Sequence, residues 1–328
     1  MNTLCFSIII TAFNQEKSIE KTINSVLSQN FEDFEVIVVD DCSSDNTLNI
    51  LKKIQEKNLK LKIIHHEKNE STFMSRLSGI KVAAGNFILF LDGDDFLQEN
   101  TLRQFQEIIA KEDFEVCEFS YIKGSNNQIC YPETIMENSS WLENFAKENM
   151  PKTLIWNKIY NAEVLKKSFE NIPTAYLNVA EDWYMNICIA KNTKKYIQSK
   201  IIAYYYNDAE GITNIKYSFE KNEKNIKSIS KVLEFTKEVL SKIENKTLAE
   251  RIINNFELKL YDWSRVKIQY QTITEDINKS YLLLPKYFPL SLIEKDFALL
   301  REDALRFRNG KISIRNILKR IYHTLRRR

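Results

Sequence analysis

The stretch NFILFLDGDDFL (Asn86–Leu97) joins an apolar run to three closely spaced carboxylates, Asp92, Asp94 and Asp95, set around Gly93. Phe87–Leu91 has the composition of a strand buried on both faces. Carboxylates this close repel one another unless something positive sits among them, and a hard divalent cation is the usual answer. The carboxyl end of a parallel strand is also where open α/β sheets bind ligands. These residues therefore read as a metal–diphosphate site. A solvated acidic turn is the plainer alternative, and an Asp-x-Asp phosphoryl-transfer nucleophile is the rival chemistry. An EF-hand loop is disfavoured, because Leu97 stands where its sharp-turn glycine belongs.

Such acids act together only if the preceding elements bring them to one place. Cys5–Ile10 reads as a strand, followed by the turn Thr11–Asn14. Residues 18–29 have helical spacing, with Ile19, Ile23, Val26 and Leu27 on one face. Phe34–Val39 is a second apolar strand, ending at Asp40 and Asp41. Ser43, Ser44 and Asp45 signal a helix over residues 46–57. Leu61–His65 is a third strand, and residues 73–84 a helix stopped by Gly85 as a C′ glycine. Strands alternating with helices give a parallel sheet with right-handed crossovers. The strand ends then share one edge, so Thr11–Asn14, Asp40–Asp41 and Asp92–Asp95 line a common crevice. This convergence favours a site over a solvated turn.

Beyond Asn100 the pattern continues with a helix to Lys111 and a strand over Phe114–Tyr121. A hairpin or loop over residues 123–138 and a short helix over residues 141–149 follow. Next come the aromatic-rich Thr153–Tyr160, a helix to Lys167, and a helix over residues 184–191 opened by Ala180–Trp183. An aromatic strand, Tyr196–Tyr206, precedes a polar loop with Gly211. Residues 218–280 lack Gly and Pro and read as a helical appendage, broken at Pro285 and Pro289.

Length and composition set bounds. A chain of 328 residues holds one large domain or two modest ones. The formal charge of +3 is unevenly spread, for residues 304–328 carry nine Lys/Arg and no Asp/Glu. The five cysteines (Cys5, Cys42, Cys117, Cys130, Cys188) form no CxxC and no zinc spacing, and read as reduced thiols of a cytoplasmic protein. Met1–Ile10 lacks the basic start of a signal peptide. No run of about 18 apolar residues predicts a membrane span.

The succession SIIITAFN (7–14), VIVVDDCSSDNT (36–47), GIKVAAGNFILFLDGDD (79–95) and AEDW (180–183) resembles family 2 glycosyltransferases with the GT-A fold, especially bacterial enzymes of surface polysaccharide and lipooligosaccharide synthesis. The resemblance implies an α/β catalytic domain over residues 1–215, a Rossmann-like, mostly parallel sheet flanked by helices. A helical C-terminal region fills residues 216–328. It also implies inverting transfer from a nucleotide sugar, commonly a UDP-sugar, with Mn²⁺ or Mg²⁺, to a glycan or lipid-linked glycan acceptor. Thr11, Phe13, Asn14, Asp40, Asp41, Arg76, Asp92 and Gly93 are then expected at the nucleotide sugar. Asp41 suits a uracil N–H, because an ionised carboxylate only accepts. Asp94 and Asp95 are expected at the metal, Asp182 as the base that deprotonates the acceptor, and Glu181 and Trp183 at the acceptor. Trp156 is either a sugar platform or core, and Lys158 and Gly211–Asn214 are candidates to close over the diphosphate. TAFN lacks the tyrosine that the family usually carries there.

In the tail, Ile314, Ile317, Leu318, Ile321, Tyr322 and Leu325 recur at helical spacing among basic residues. That is a basic amphipathic helix, which either holds the chain at the inner face of the cell membrane or packs on the domain. Each basic residue near anionic lipid is worth ~1 kcal/mol. No nucleic-acid partner is expected, and the helical appendage is a candidate for pairing with a second copy. Besides the glycosyltransferase, two functions stay open: an Asp-nucleophile phosphotransferase or phosphatase, and an inactive relative acting as an assembly partner.

Overall fold

The computed structural model describes residues 5–124, 127–207, 218–269, 279–280, 282–289 and 291–292. It opens with the expected alternation: β1 (Phe6–Ala12), α1 (Ile19–Leu27), β2 (Phe34–Asp40), α2 (Thr47–Gln55), β3 (Leu61–His65), α3 (Thr72–Val82) and β4 (Phe87–Asp92). β1 pairs in parallel with β2 and β4, and β2 with β3. Every residue of β2 is buried, which is why its apolar run shows no alternation. Helix α3 lies close on the sheet because Gly79 faces Ile9, where a Cβ would come within 2.4 Å of Ile9 Cγ2.

After β5 (Phe96–Leu97) and α4 (Thr101–Lys111), the sheet becomes mixed. β6 (Val116–Lys123) does not join β4; the slot between them is filled by β9 (Lys158–Asn161), antiparallel to both. β10 (Lys195–Tyr206) runs parallel to β6, and β5 closes the edge antiparallel to β10. The order is β3-β2-β1-β4-β9-β6-β10-β5, with β7 (Asn127–Ile129) on β6 and β8 (Thr134–Glu137) on β10. The segment expected as a hairpin or loop thus contributes two short strands. The helices α5 (Ser140–Asn144), α6 (Ala162–Ser168) and α7 (Glu181–Ala190) pack around this half. The appendage is an antiparallel pair, α8 (Phe219–Ser241) and α9 (Lys246–Gln269), followed by the short α10 (Leu284–Tyr287). The basic tail and the Gly211–Asn214 loop lie outside the described residues.

Gly85 corrects the sequence reading. Helix α3 ends at Val82 with Ala83 extended, so Gly85 caps nothing. It is small because the chain passes against β1: a Cβ there would stand 2.5 Å from both Phe6 C and Ser7 N. Its N–H donates to Ser7 Oγ at 2.8 Å, and Ser7 Oγ donates to the buried Glu35 at 2.6 Å. Backbone cannot yield as a side chain tip can, so Gly85→Ala is expected to cost about 2 kcal/mol or more. Calorimetry on the folded variant should show a Tm lowered by roughly 5 °C.

Candidate functional site

Register places the rim. Thr11 lies opposite Val39 and Asp92, and Ala12 opposite Asp40. The carboxyl ends of β1, β2 and β4 therefore stand side by side, with β3 beyond, where His65 pairs with Asp40. The loop after β4 is held from below by α1, since Ser18 Oγ and Thr22 Oγ1 both donate to the Gly93 carbonyl at 2.9 Å. Gly93 itself passes so near β1 that a Cβ would meet Thr11 O at 2.9 Å.

The first wall of the crevice is made by the loops after β1 and β2. Asn14, at φ 55°, accepts from Ser44 N at 2.8 Å, while its own N–H donates to Ser43 Oγ at 2.9 Å. Its side chain thus ties the two loops together. Phe13 stays 46% exposed on the rim. Asp40 is fully buried and pairs with His65 Nδ1 at 2.7 Å. Asp41 meets His66 Nδ1 at 2.7 Å and accepts from Glu70 N at 2.8 Å and Ser71 N at 2.9 Å. It orders the loop leading into α3, where Ser71 holds φ 87°. The two histidines were not singled out by sequence reasoning. Their position at the end of a rim strand was the available signal.

The acidic motif divides into different environments. Asp92 keeps 30% of its side chain exposed and lies 3.4 Å from Thr11 Oγ1. Asp94 is partly exposed. Asp95 is turned inward, accepting from Tyr204 OH at 2.8 Å and from Asn207 N at 2.7 Å. Burial, then the charges of Asp92 and Asp94, push its carboxyl up to about 8. Tyr204, overlooked in the sequence, also accepts from Asp92 N at 3.2 Å. Among the described residues, no group of three or more His, Cys, Asp or Glu encloses a metal position. Mg²⁺-type sites need no such cage, because one or two carboxylates and the substrate's phosphates suffice. The crowded negative charge around Asp95 and the all-oxygen donor set fit a hard cation.

Arg76 joins this motif to the acids of α7. Expected at the nucleotide, it is instead 3% exposed and surrounded by carboxylates: Asp182 at 2.6 Å, Asp92 at 3.3 Å and Glu181 at 3.5 Å. Burial works against its charge, but Asp182, Asp92 and Glu181 outweigh it and hold its pKa above the ordinary value. Burial raises Asp182 despite Arg76, and burial with the Asp182 charge raises Glu181 to about 7.

Other candidates sit elsewhere. Lys158 does not reach a diphosphate: it is wholly buried, 3.3 Å from Glu118, and donates to Asn157 Oδ1 at 2.9 Å. Its place in β9 opposite Glu118 fixes that pairing. Trp156 is core, stacked on Tyr204 and Tyr206 at 4.5 and 5.4 Å. Trp183 is partly buried, edge-on to Phe256 of α9 at 5.2 Å, so its ring docks the helical region.

Residues 7–175 match the family model for glycosyl transferase family 2. The chain belongs to that family. The chain is similar to the poly(ribitol-phosphate) beta-N-acetylglucosaminyltransferase TarS of Staphylococcus aureus, 32% identical over 61% of this chain and 35% of TarS. The poly(ribitol-phosphate) beta-glucosyltransferase of Bacillus spizizenii is 29% identical over 61% of this chain and 32% of its own. The chain thus spans about a third of these relatives' length. The crystal structure of TarS 1–349 in complex with UDP-GlcNAc superposes at a TM-score of 0.67 and 24% identity, covering 88% of this chain and 82% of that one. It shows the same GT-A-like fold. No helix among the described residues is long and apolar enough to cross a membrane.

The raised Glu181 carboxyl has a thermodynamic consequence. Its folded pKa lies above the unfolded value, so the native state binds the extra proton between about 4.5 and about 7. Glu181 therefore favours the native state less as pH rises through that window. Glu181→Gln removes the titration. Thermal unfolding should show Tm of the variant relative to wild type increasing from pH 5 to pH 8.

Proposed function

We propose that this family 2 glycosyltransferase transfers a sugar, with inversion, from a UDP-sugar to a hydroxyl of a bacterial cell-surface polymer in a divalent-metal-dependent reaction. The observation that carries the reading is Arg76, which holds the nucleotide-side Asp92 and the acceptor-side Asp182 about one guanidinium. A donor at the rim and an acceptor at the start of α7 would meet there. UDP-GlcNAc and UDP-glucose are the first donors to test, given the names of the relatives. Those names also favour a cell-wall polymer over lipooligosaccharide as the acceptor.

Phe13, exposed beside Thr11, offers a ring face to the base, and Asp40 and Asp41 form the floor beneath it. Asp92 lies where the ribose and diphosphate would enter. Mn²⁺ or Mg²⁺, held by Asp94 and Asp95 with the substrate's phosphates, would offset charge on the departing diphosphate. Asp182 takes the proton of the acceptor hydroxyl as that oxygen bonds to the anomeric carbon and the bond to the diphosphate breaks. Glu181 orients the acceptor. Arg76 partly offsets the burial that raises the Asp182 carboxyl. The basic tail, residues 304–328, is proposed to hold the enzyme at the inner membrane surface near a lipid-linked acceptor, and pairing of the helical region with a second copy is the proposed dimer contact.

A panel of nucleotide sugars with Mn²⁺, assayed for slow hydrolysis, tests the reading without an acceptor. UDP-sugars should be turned over, and chelation should weaken UDP binding measured by calorimetry. Asp182→Asn should lower turnover about 10³-fold while UDP still binds. A phosphoaspartate trapped at Asp92 would point instead to phosphoryl transfer.

A further inference from the structure

Accepting the proposal that Asp182 is the base, we infer that helix α8 belongs to the catalytic apparatus: Asn225 and Ser228 position the Glu181–Asp182 pair by gripping the segment just before it. Ser228 Oγ accepts from Asn178 N at 3.1 Å and lies 3.2 Å from the Val179 carbonyl, to which it donates. Asn225 Oδ1 accepts from Asn178 Nδ2 at 3.1 Å. On the other side, Leu177 N donates to Ser71 Oγ at 3.3 Å, at the start of α3. The segment is thus clasped between α3, which carries Arg76, and α8.

This clasp has something to hold. Ala180 adopts φ 61°, a left-handed conformation unusual for a residue with a Cβ. It precedes α7 without any side-chain cap. Such a turn persists only when its surroundings over-determine it. The first residues of α7 are the two acids themselves.

The composition of α8 agrees. Its buried face carries Asn222, Asn225 and Ser228, each no more than 4% exposed, among Ile226 and Ile229. A helix that only packs would place apolar residues there. Further along, Phe235 of α8 meets Tyr184 of α7 at 5.7 Å, so apolar contact docks the helix while the polar face reaches the turn.

The test uses the full chain and the donor hydrolysis assay. Displacing a catalytic group by about 1 Å costs on the order of 10²-fold in rate. Ser228→Ala and Asn225→Leu should therefore lower kcat about tenfold or more. KM for the nucleotide sugar and the Kd for UDP should stay within about twofold. Deuterium uptake of residues 174–183 should rise, and Ser228→Thr should restore kcat. Unchanged kcat in both variants, or a loss matched by equal loss of UDP binding, overturns the positioning role. Asp182→Asn separates the two claims. If it is inactive while Ser228→Ala and Asn225→Leu are both fully active, only the positioning role falls; if Asp182→Asn turns over normally, the base assignment falls and takes this inference with it.

Discussion

One buried guanidinium fixes the geometry of this site. Arg76 is taken out of water almost completely, which is costly unless its charge is met in full. Three carboxylates meet it, one from the end of β4 and two from the first turn of α7. Burial raises the two acids of α7, and the guanidinium works against that rise. The arrangement is mutual, so no member can move far without stranding the others. It couples the end of β4 to the start of α7, two parts of the chain that share no strand pairing.

A second constraint acts on the rim. Parallel pairing of β1 with β2 and β4 brings the strand ends into register, and those ends carry Asp40, Asp41, Asp92, Asp94 and Asp95. The fold settles each differently. Asp40 and Asp41 are paired with His65 and His66, Asp95 is buried against Tyr204 and Asn207, and Asp92 faces Arg76. Asp95 stays above the ordinary carboxylate range because its hydrogen bonds do not offset burial and the neighbouring negative charge. A cation bound there, as proposed, would relieve that crowding and could bring phosphates with it.

The sequence disclosed the parts of this site whose causes are local. Phe87–Leu91 followed by acids identifies both strand and rim, because burial on two faces and the strand's end are written in adjacent residues. The same holds for β1 and β2. Contacts made across the chain were not legible. Asp182 lies 106 residues from Arg76, and no local pattern links them. Lys158 was a candidate to close over the diphosphate, yet its strand inserts beside β6 and delivers it to Glu118. Gly85 resembled a helix stop, since a close backbone passage and a left-handed cap both demand glycine. Only the position of β1 distinguishes them.

The same reasoning explains why the two halves of the site differ in kind. The proposed nucleotide side is made of strand ends and short loops, so its wall comes from three consecutive strand–helix repeats and the β4 that follows them. The proposed acceptor side rests on the start of α7 and, through the Asn178–Val179 backbone, on the flank of α8. Trp183, expected at the acceptor, packs on Phe256, and the segment before Ala180 leans on side chains of a helix about fifty residues further on. Those distant contacts meet the rim through Arg76, so a change at the start of α7 is felt at Asp92 as well.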